Sequence, residues 1–224
     1  MSHDIAFLHT AEVHVETFGK LVADIAPEIA VRHEVRSELL AYARENGVDA
    51  RLSLDIQQAL KEAASSGARI VVCTCSTIGG VAEAYYNPHF RSMRLDRAMA
   101  DIAVAFDRVL VLAALESTLE PSQTLLQDAA KQKERHPQIE CFIIVDAWQY
   151  FTQGRFAEYY QCVADIIQSE APNYDAIVLA QGSMGGAAEL CDVSIPVLSS
   201  PRLGVEVAIA ELKELGATLP AKAR

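Results

Sequence analysis

Residues 69–83 read Arg-Ile-Val-Val-Cys-Thr-Cys-Ser-Thr-Ile-Gly-Gly-Val-Ala-Glu. The run from Ile70 to Cys73 is short, apolar and rich in β-branched side chains, which is typical of a buried strand. Small polar residues follow it, then the pair Gly79-Gly80, and a helical pattern begins at Val81. The order therefore predicts a strand, a small-residue turn and a helix, which is the repeating unit of a parallel sheet.

Cys75 lies in the predicted turn. In an open parallel sheet such a turn is at the carboxyl end of a strand, where ligands bind. Unpaired backbone N–H groups at a helix start attract anions and favour the thiolate form of a cysteine. We therefore predict a reactive thiol at Cys75 beside a carboxylate-sized anion site. The alternative is that Cys75 is only a small residue in a tight turn.

The same plan returns in residues 176–189, which read Ala-Ile-Val-Leu-Ala-Gln-Gly-Ser-Met-Gly-Gly-Ala-Ala-Glu. The Gly-Gly pairs of the two segments are 106 residues apart, and so are Glu83 and Glu189. One strand-turn-helix plan used twice predicts a ligand between two facing turns. The two copies differ at one chemical position, because Gln181 corresponds to Cys75.

Strand and helix patterns alternate about eight times along the 224 residues, with no long linker. This alternation predicts an α/β fold of two pseudo-symmetric halves, each a doubly wound parallel sheet, with the site in the cleft between them. We place the first half at residues 1–97 plus 203–224 and the second at residues 98–202.

The composition narrows the class of protein. A hydrophobic content of 51% and a charged content of 22% are typical of a soluble globular protein. The net charge of −11 argues against a nucleic-acid partner, and no apolar run is long enough to predict a membrane partner. Five cysteines and an N-terminus unlike a signal peptide predict reduced thiols in the cytoplasm. A homodimer is the commonest assembly for such a protein, and the sequence leaves the oligomeric state open.

These motifs resemble the aspartate/glutamate/hydantoin racemase superfamily, which includes maleate isomerase and arylmalonate decarboxylase. Its first cysteine motif is Cys-Asn-Thr, and Cys75-Ser76-Thr77 occupies that place. Its Thr-Glu-Gly-Thr loop is matched in part by Leu115-Glu116-Ser117-Thr118. Its second cysteine motif is Gly-Cys-Thr-His, where this chain has Ala180-Gln181-Gly182-Ser183.

The resemblance implies proton transfer next to the carboxylate of a small acid or amino acid, without cofactor or metal. The family's racemases use one cysteine on each face of the substrate, whereas this chain has only the first. Three alternatives stay open: a racemase or isomerase with Cys75 and a different second base, a decarboxylase or cis-trans isomerase, and a non-catalytic binder of small acids.

The predicted catalytic residues are Cys75, as acid/base or nucleophile, and His9, which ends the first strand on the same sheet edge. The predicted substrate-binding residues all lie at the strand-to-helix turns: Ser76, Thr77, Ser117, Thr118, Gln181, Gly182 and Ser183. Thr77, Thr118 and Ser183 have an alternative role as helix N-caps, and His9 has one in packing. A Cys-x-Cys metal site lacks further clustered ligands, so no metal is expected.

Overall fold

The computed structural model describes residues 3–218 and contains two parallel β-sheets of four strands each. The chain divides into two units. The first unit comprises the chain up to Leu95 together with the chain from Arg202 onward, and the second unit is Asp96–Pro201. Each unit is a parallel sheet with helices connecting its strands, so the predicted α/β class with two parallel-sheet halves is confirmed. Residues 1–2 and 219–224 of the predicted first half lie outside the described residues.

The elements alternate along the chain as the sequence predicts. The first unit contains β1 Ile5–His9, α1 Val13–Ile25, β2 Val31–Val35, α2 Ser37–Asn46, α3 Ala50–Ala64, β3 Ile70–Cys73, α4 Ser76–Ala84 and β4 Arg91–Arg94. The second contains α5 Arg97–Ala103, β5 Arg108–Ala113, α6 Leu119–Gln132, β6 Gln138–Ile143, α7 Ala147–Thr152, α8 Phe156–Glu170, β7 Ala176–Leu179 and β8 Val197–Ser199. Within residues 3–218, three 3-10 helices lie at Glu116–Thr118, Ala171–Asn173 and Gly182–Leu190, and α9 is Ser200–Thr218.

The strand order in the first sheet is β2-β1-β3-β4, so β1 and β3 are the central pair. Every residue of these two strands is buried, which explains their continuous apolar runs. Leu8 of β1 is opposite Cys73 of β3 in the parallel register. The residues that follow these two positions therefore emerge side by side at the carboxyl edge of the sheet.

The second sheet repeats this order as β6-β5-β7-β8, with β5 and β7 as the central pair. Leu112 of β5 is opposite Leu179 of β7. The ends of β5 and β7 are therefore neighbours at the carboxyl edge of this sheet, as those of β1 and β3 are in the first.

Helix α9 supplies part of the first unit's core from the end of the described chain. Its residues Val205, Ala208 and Ile209 are buried in one apolar cluster with Ile5 and Phe7 of β1. None of the helices within residues 3–218 is both long and apolar enough to span a membrane.

The two Gly-Gly pairs lie inside helices, which differs from the predicted turn ending at Gly80. Helix α4 already begins at Ser76, directly after Cys75. A Cβ atom at Gly79 would lie 3.3 Å from Cβ and Nε of Arg94 on β4. The glycine is needed because a neighbouring side chain packs against the helix, and not because the backbone must turn there.

Candidate functional site

The first candidate site is the turn between β3 and α4, where Cys75 occupies the N-cap position. Cys75 has an extended backbone and remains partly exposed, whereas Thr74, Ser76 and Thr77 around it are buried. Its sulfur is thus at the start of a nine-residue helix. The first N–H groups of a helix lack intrahelical partners and carry partial positive charge, so this position favours negative charge.

Four groups hydrogen-bond the Cys75 sulfur: the hydroxyls of Thr10 and Thr77 and the backbone N–H groups of Thr77 and Ile78. Each of these bonds lowers the pKa of Cys75, as expected at a helix start. Burial of the sulfur opposes them and is the larger effect, so the pKa of Cys75 is raised above that of an ordinary cysteine. The resting protein therefore carries a thiol at neutral pH, where the sequence alone predicts a favoured thiolate.

His9 is buried at the end of β1, and both of its ring nitrogens are engaged. Its Nδ1 lies 2.8 Å from Oγ1 of Thr74, and its Nε2 lies 2.9 Å from Nδ1 of His33. The Thr74 hydroxyl donates to the Leu8 carbonyl at 3.2 Å, so its oxygen is left to accept from His9 Nδ1–H. With Nδ1 protonated, His9 Nε2 is the acceptor for Nδ1–H of His33.

The His9 ring is held in its neutral form. Burial is the main cause that lowers its pKa to about 2, and the nearby His14 and His33 lower it further. That His9 assists the thiol as a base stays a prediction, but its contacts favour a structural role. The side chain from this strand end that hydrogen-bonds the Cys75 sulfur is Thr10, which directly follows β1. Thr10 is not among the site residues predicted from the sequence. Its position next to the end of the first strand, the feature used to choose His9, could have identified it.

His9, His14 and His33 lie close together but do not form a metal site among the described residues. Across residues 3–218, no group of three or more His, Cys, Asp or Glu side chains is arranged to hold a metal ion. The rings of His9 and His33 instead stack with centroids 5.2 Å apart, and both stack on Phe7. These contacts assign His9 and His33 a role in packing and hydrogen bonding within the first unit.

The second candidate site is the turn after β7, where Gln181 occupies the position that Cys75 has in the first unit. Gln181 is the N-cap of the 3-10 helix Gly182–Leu190. Its side-chain Oε1 accepts a hydrogen bond from the backbone N–H of Ala114 at 2.7 Å. Since Ala114 directly follows β5, the Gln181 side chain joins the ends of the two central strands of this sheet.

Ser183 lies two residues further along this turn and contacts a buried tyrosine. Its Oγ is 3.0 Å from the hydroxyl oxygen of Tyr159 on α8. The Tyr159 side chain has no exposed surface, and burial raises the pKa of its hydroxyl. The Ser183 hydroxyl is therefore paired with a neutral phenol.

The loop after β5 supplies two further predicted residues. Ser117 lies in the 3-10 helix Glu116–Thr118, and Thr118 is buried at the N-cap position of α6 without a capping hydrogen bond from its side chain. The hydroxyl oxygens of Ser117 and Ser122 are buried with no hydrogen-bond partner among the described residues. Buried hydroxyls are normally paired, so a polar group bound at this loop would gain hydrogen bonds.

The structure gathers the predicted site residues into one group in each unit. In the first unit Cys75, Ser76 and Thr77 form the β3–α4 turn, next to the end of β1. The second unit brings the remaining binding residues to the ends of the neighbouring strands β5 and β7: Ser117, Thr118, Gln181, Gly182 and Ser183. Both groups lie at the carboxyl edge of a parallel sheet, where ligand sites of such folds occur.

Comparison with known proteins reveals a likeness in structure. No protein-family model and no curated protein sequence matches this chain. Its structure is similar to that of Picrophilus torridus aspartate racemase, with 15% identity, a TM-score of 0.68 and coverage of 95% of each chain. It is also similar to Francisella tularensis glutamate racemase in complex with D-glutamate, with 13% identity, a TM-score of 0.72, and coverage of 99% of this chain and 85% of that one.

A third similar structure is a mutant of arylmalonate decarboxylase in a sulfate-associated form, with 14% identity and a TM-score of 0.63. That match covers 99% of this chain and 97% of the decarboxylase. The chain thus has the fold shared by the aspartate and glutamate racemases and arylmalonate decarboxylase. The predicted resemblance to this superfamily is confirmed at the level of the fold.

Proposed function

We propose that the chain is a cofactor-independent, racemase- or isomerase-like enzyme that transfers a proton at the carbon next to the carboxylate of a small acid or amino acid. Cys75 is the group that exchanges the proton. One observation carries the proposal: the Cys75 sulfur is at the start of α4, with the Thr10 hydroxyl and the N–H groups of Thr77 and Ile78 bonded to it. A proton-exchanging thiol needs donors of this kind to stabilise its thiolate form.

In the proposed step, the Cys75 thiolate takes the proton from the substrate carbon. The electron pair of the broken C–H bond moves into the carboxylate and forms an enediolate. Backbone N–H groups at a helix start and nearby hydroxyls stabilise such charge without rearranging. The proton then returns to carbon. Because burial raises the pKa of Cys75, the reactive thiolate becomes more abundant as the pH rises from neutrality.

A decarboxylase is the second candidate, and two observations favour it. The turn that corresponds to Cys75 in the second unit carries Gln181, whose amide does not exchange a proton with carbon. Cys75 itself rests as a thiol. When a malonate-type acid loses carbon dioxide, its C–C bond breaks and an enediolate remains. The thiol donates its proton to that carbon, and the resulting thiolate regains a proton from water.

An exchange experiment tests both candidates. The protein is incubated in deuterium oxide with D- and L-aspartate, D- and L-glutamate, maleate and phenylmalonate, and proton NMR follows each acid. Loss of the α-proton signal indicates proton transfer, and formation of phenylacetate indicates decarboxylation. Conversion of maleate to fumarate would instead identify a cis-trans isomerase, and binding without turnover a non-catalytic protein.

Cys75→Ser and Cys75→Ala should abolish the activity found, since neither side chain can form a thiolate. Cys162→Ser on α8 is the matched control, because Cys162 is also a partly buried cysteine outside the candidate residues. Full activity in the Cys75 variants would refute the proposal. The homodimer and the cytoplasmic location stay predictions.

A further inference from the structure

We propose that Gln181 is a ligand-binding hydrogen-bond donor with a fixed orientation, and that Tyr159 is a positioning residue that gives Ser183 the same polarity. The turn after β7 would then bind an acceptor oxygen of the ligand through two neutral donors. This inference rests on the proposed function for the identity of the ligand as a small acid. It goes further by assigning the polarity of this turn and the ligand group that it recognises.

The orientation of the Gln181 amide follows from its contact with Ala114. A glutamine side chain has one acceptor oxygen and one amino group with two donors. A backbone N–H can only donate, so the atom 2.7 Å from the Ala114 nitrogen must be the Gln181 oxygen. Ala114 is itself buried, so its N–H group needs this acceptor. The amide cannot flip without leaving that group unpaired, and its amino group therefore keeps one direction.

The amino group of Gln181 is the part that remains for a ligand. Gln181 is partly exposed, and the hydrogen bond that the structure gives its side chain uses only the oxygen. Nε2 thus offers two N–H donors at the carboxyl edge of the sheet. A thiol in the corresponding place could exchange a proton with carbon, whereas this amide can only bind.

The contact with Tyr159 makes Ser183, like Gln181, a hydrogen-bond donor toward a ligand. The Tyr159 hydroxyl is buried and forms a hydrogen bond with the Ser183 oxygen, with 3.0 Å between the two oxygen atoms. A phenol is a better hydrogen-bond donor than an aliphatic hydroxyl, so Tyr159 donates and Ser183 accepts. The hydrogen of Ser183 is then left to donate to a ligand.

The packing of α8 against this turn keeps the two donors in place. The ring of Tyr160, the neighbour of Tyr159, lies so close to Gly186 that a Cβ atom there would be 2.8 Å from the ring carbon Cζ. Rigid donors bind an acceptor with little loss of conformational freedom. Two neutral donors favour a carboxylate or carbonyl oxygen and disfavour an ammonium group, so this turn suits a carboxylate or carbonyl group of the ligand.

The decisive variant is Gln181→Glu, because it keeps the acceptor for Ala114 N–H and replaces the donor by an acceptor. Binding of malonate, succinate, D-glutamate and L-glutamate is measured by calorimetry at pH 8 and pH 5. For the best-bound acid, the variant should bind at least tenfold more weakly than wild type at pH 8. The deficit relative to wild type should shrink at pH 5, since a protonated carboxyl group can donate again.

Two further variants separate positioning from general damage. Tyr159→Phe should weaken binding several-fold while the pH dependence stays that of wild type. Gln153→Glu, at an exposed position of the same unit, should bind as wild type does. Equal affinity of Gln181→Glu and wild type at pH 8 would overturn the inference. So would weaker binding that does not recover at pH 5, or a wild-type protein that binds none of the four acids.

Failure of this inference is distinguishable from failure of the proposed function. Binding that persists in Cys75→Ala and is lost in Gln181→Glu supports the inference even where no proton exchange is found. Proton exchange that depends on Cys75 but is unchanged in Gln181→Glu would uphold the proposed function and overturn the inference.

Discussion

The ring of His9 donates from Nδ1 to the hydroxyl of Thr74, with 2.8 Å between the two atoms. The Thr74 hydroxyl in turn donates to the Leu8 carbonyl of β1. These two bonds tie the end of β1 to the residue that precedes Cys75. His9 thereby stabilises the backbone next to Cys75. Among the described residues, His9 is not one of the groups that hydrogen-bond the Cys75 sulfur.

We expect His9→Ala to lower the free energy of unfolding by about 2–4 kcal/mol, because it leaves a cavity and removes the hydrogen bonds to Thr74 and His33. Urea denaturation followed by circular dichroism measures the change. His136→Ala at an exposed position should alter stability by no more than about 0.5 kcal/mol. A loss at His9 as small as that at His136 would contradict the assigned role.

Stability should fall in mild acid because of the buried histidines. The pKa of His9 is lowered to about 2 and that of His14 to about 4, mainly by burial. An unfolded histidine binds a proton near pH 6.5, whereas the folded protein excludes it, so the unfolded state gains protons first as pH falls. His9 alone should then reduce stability by about 1.4 kcal/mol per pH unit below pH about 6.

Urea denaturation at pH 7.0, 6.0 and 5.0 measures this loss. His9→Gln, which removes one titrating group, should have a shallower dependence on pH than wild type over this interval. Identical slopes for the two proteins would contradict the low pKa of His9.

Thr10→Val should raise the pKa of Cys75 further, since the Thr10 hydroxyl hydrogen-bonds the sulfur and lowers that pKa. Alkylation by iodoacetamide, followed at the Cys75 peptide by mass spectrometry, should shift to higher pH. Thr17→Val is the control, because Thr17 lies at an exposed position of α1 and its hydroxyl bonds the carbonyl of Val13. An unchanged profile for Thr10→Val would show that this hydroxyl does not stabilise the thiolate.

The paired glycines of the second unit should differ in their tolerance of substitution. A Cβ at Gly186 would be 2.8 Å from the Tyr160 ring, whereas one at Gly185 would be 3.4 Å from Ser199 Oγ. Gly186→Ala should therefore destabilise the protein by about 1–3 kcal/mol, and Gly185→Ala by distinctly less. Thermal unfolding of both variants measures the difference. Equal melting temperatures would contradict the packing of Tyr160 against Gly186.

The central strands could be predicted from sequence because their burial on both faces leaves a direct record in apolar, β-branched runs such as Ile70–Cys73. The need for a glycine at position 79 could not be predicted, because it comes from the side chain of Arg94, a contact made only when β4 pairs with β3. Local patterns record periodicity and turns, whereas contacts between distant segments leave no comparable pattern.

The same distinction applies to the candidate site: its local features could be predicted from the sequence, and its contacts between distant segments could not. The sequence predicts Cys75 in the turn between a strand and a helix because that pattern is local, but it does not show the burial that raises the pKa of Cys75. The bonds of His9 to Thr74 and His33 require β1 to lie between β2 and β3, so the sequence indicated only that His9 ends a strand.

The most direct test of the role of Cys75 is the rate at which wild type and Cys75→Ser exchange the substrate α-proton with deuterium oxide, measured by proton NMR. We expect wild type to exchange the α-proton, or to protonate the carbon after loss of carbon dioxide, with at least one acid of the panel. Replacement of the thiol should lower this rate by at least about 10²-fold, as general acid–base catalysis contributes on that order. Turnover that survives in Cys75→Ser, or its absence for every acid tested with wild type, would show that Cys75 is not the proton-exchanging group of an enzyme of this kind.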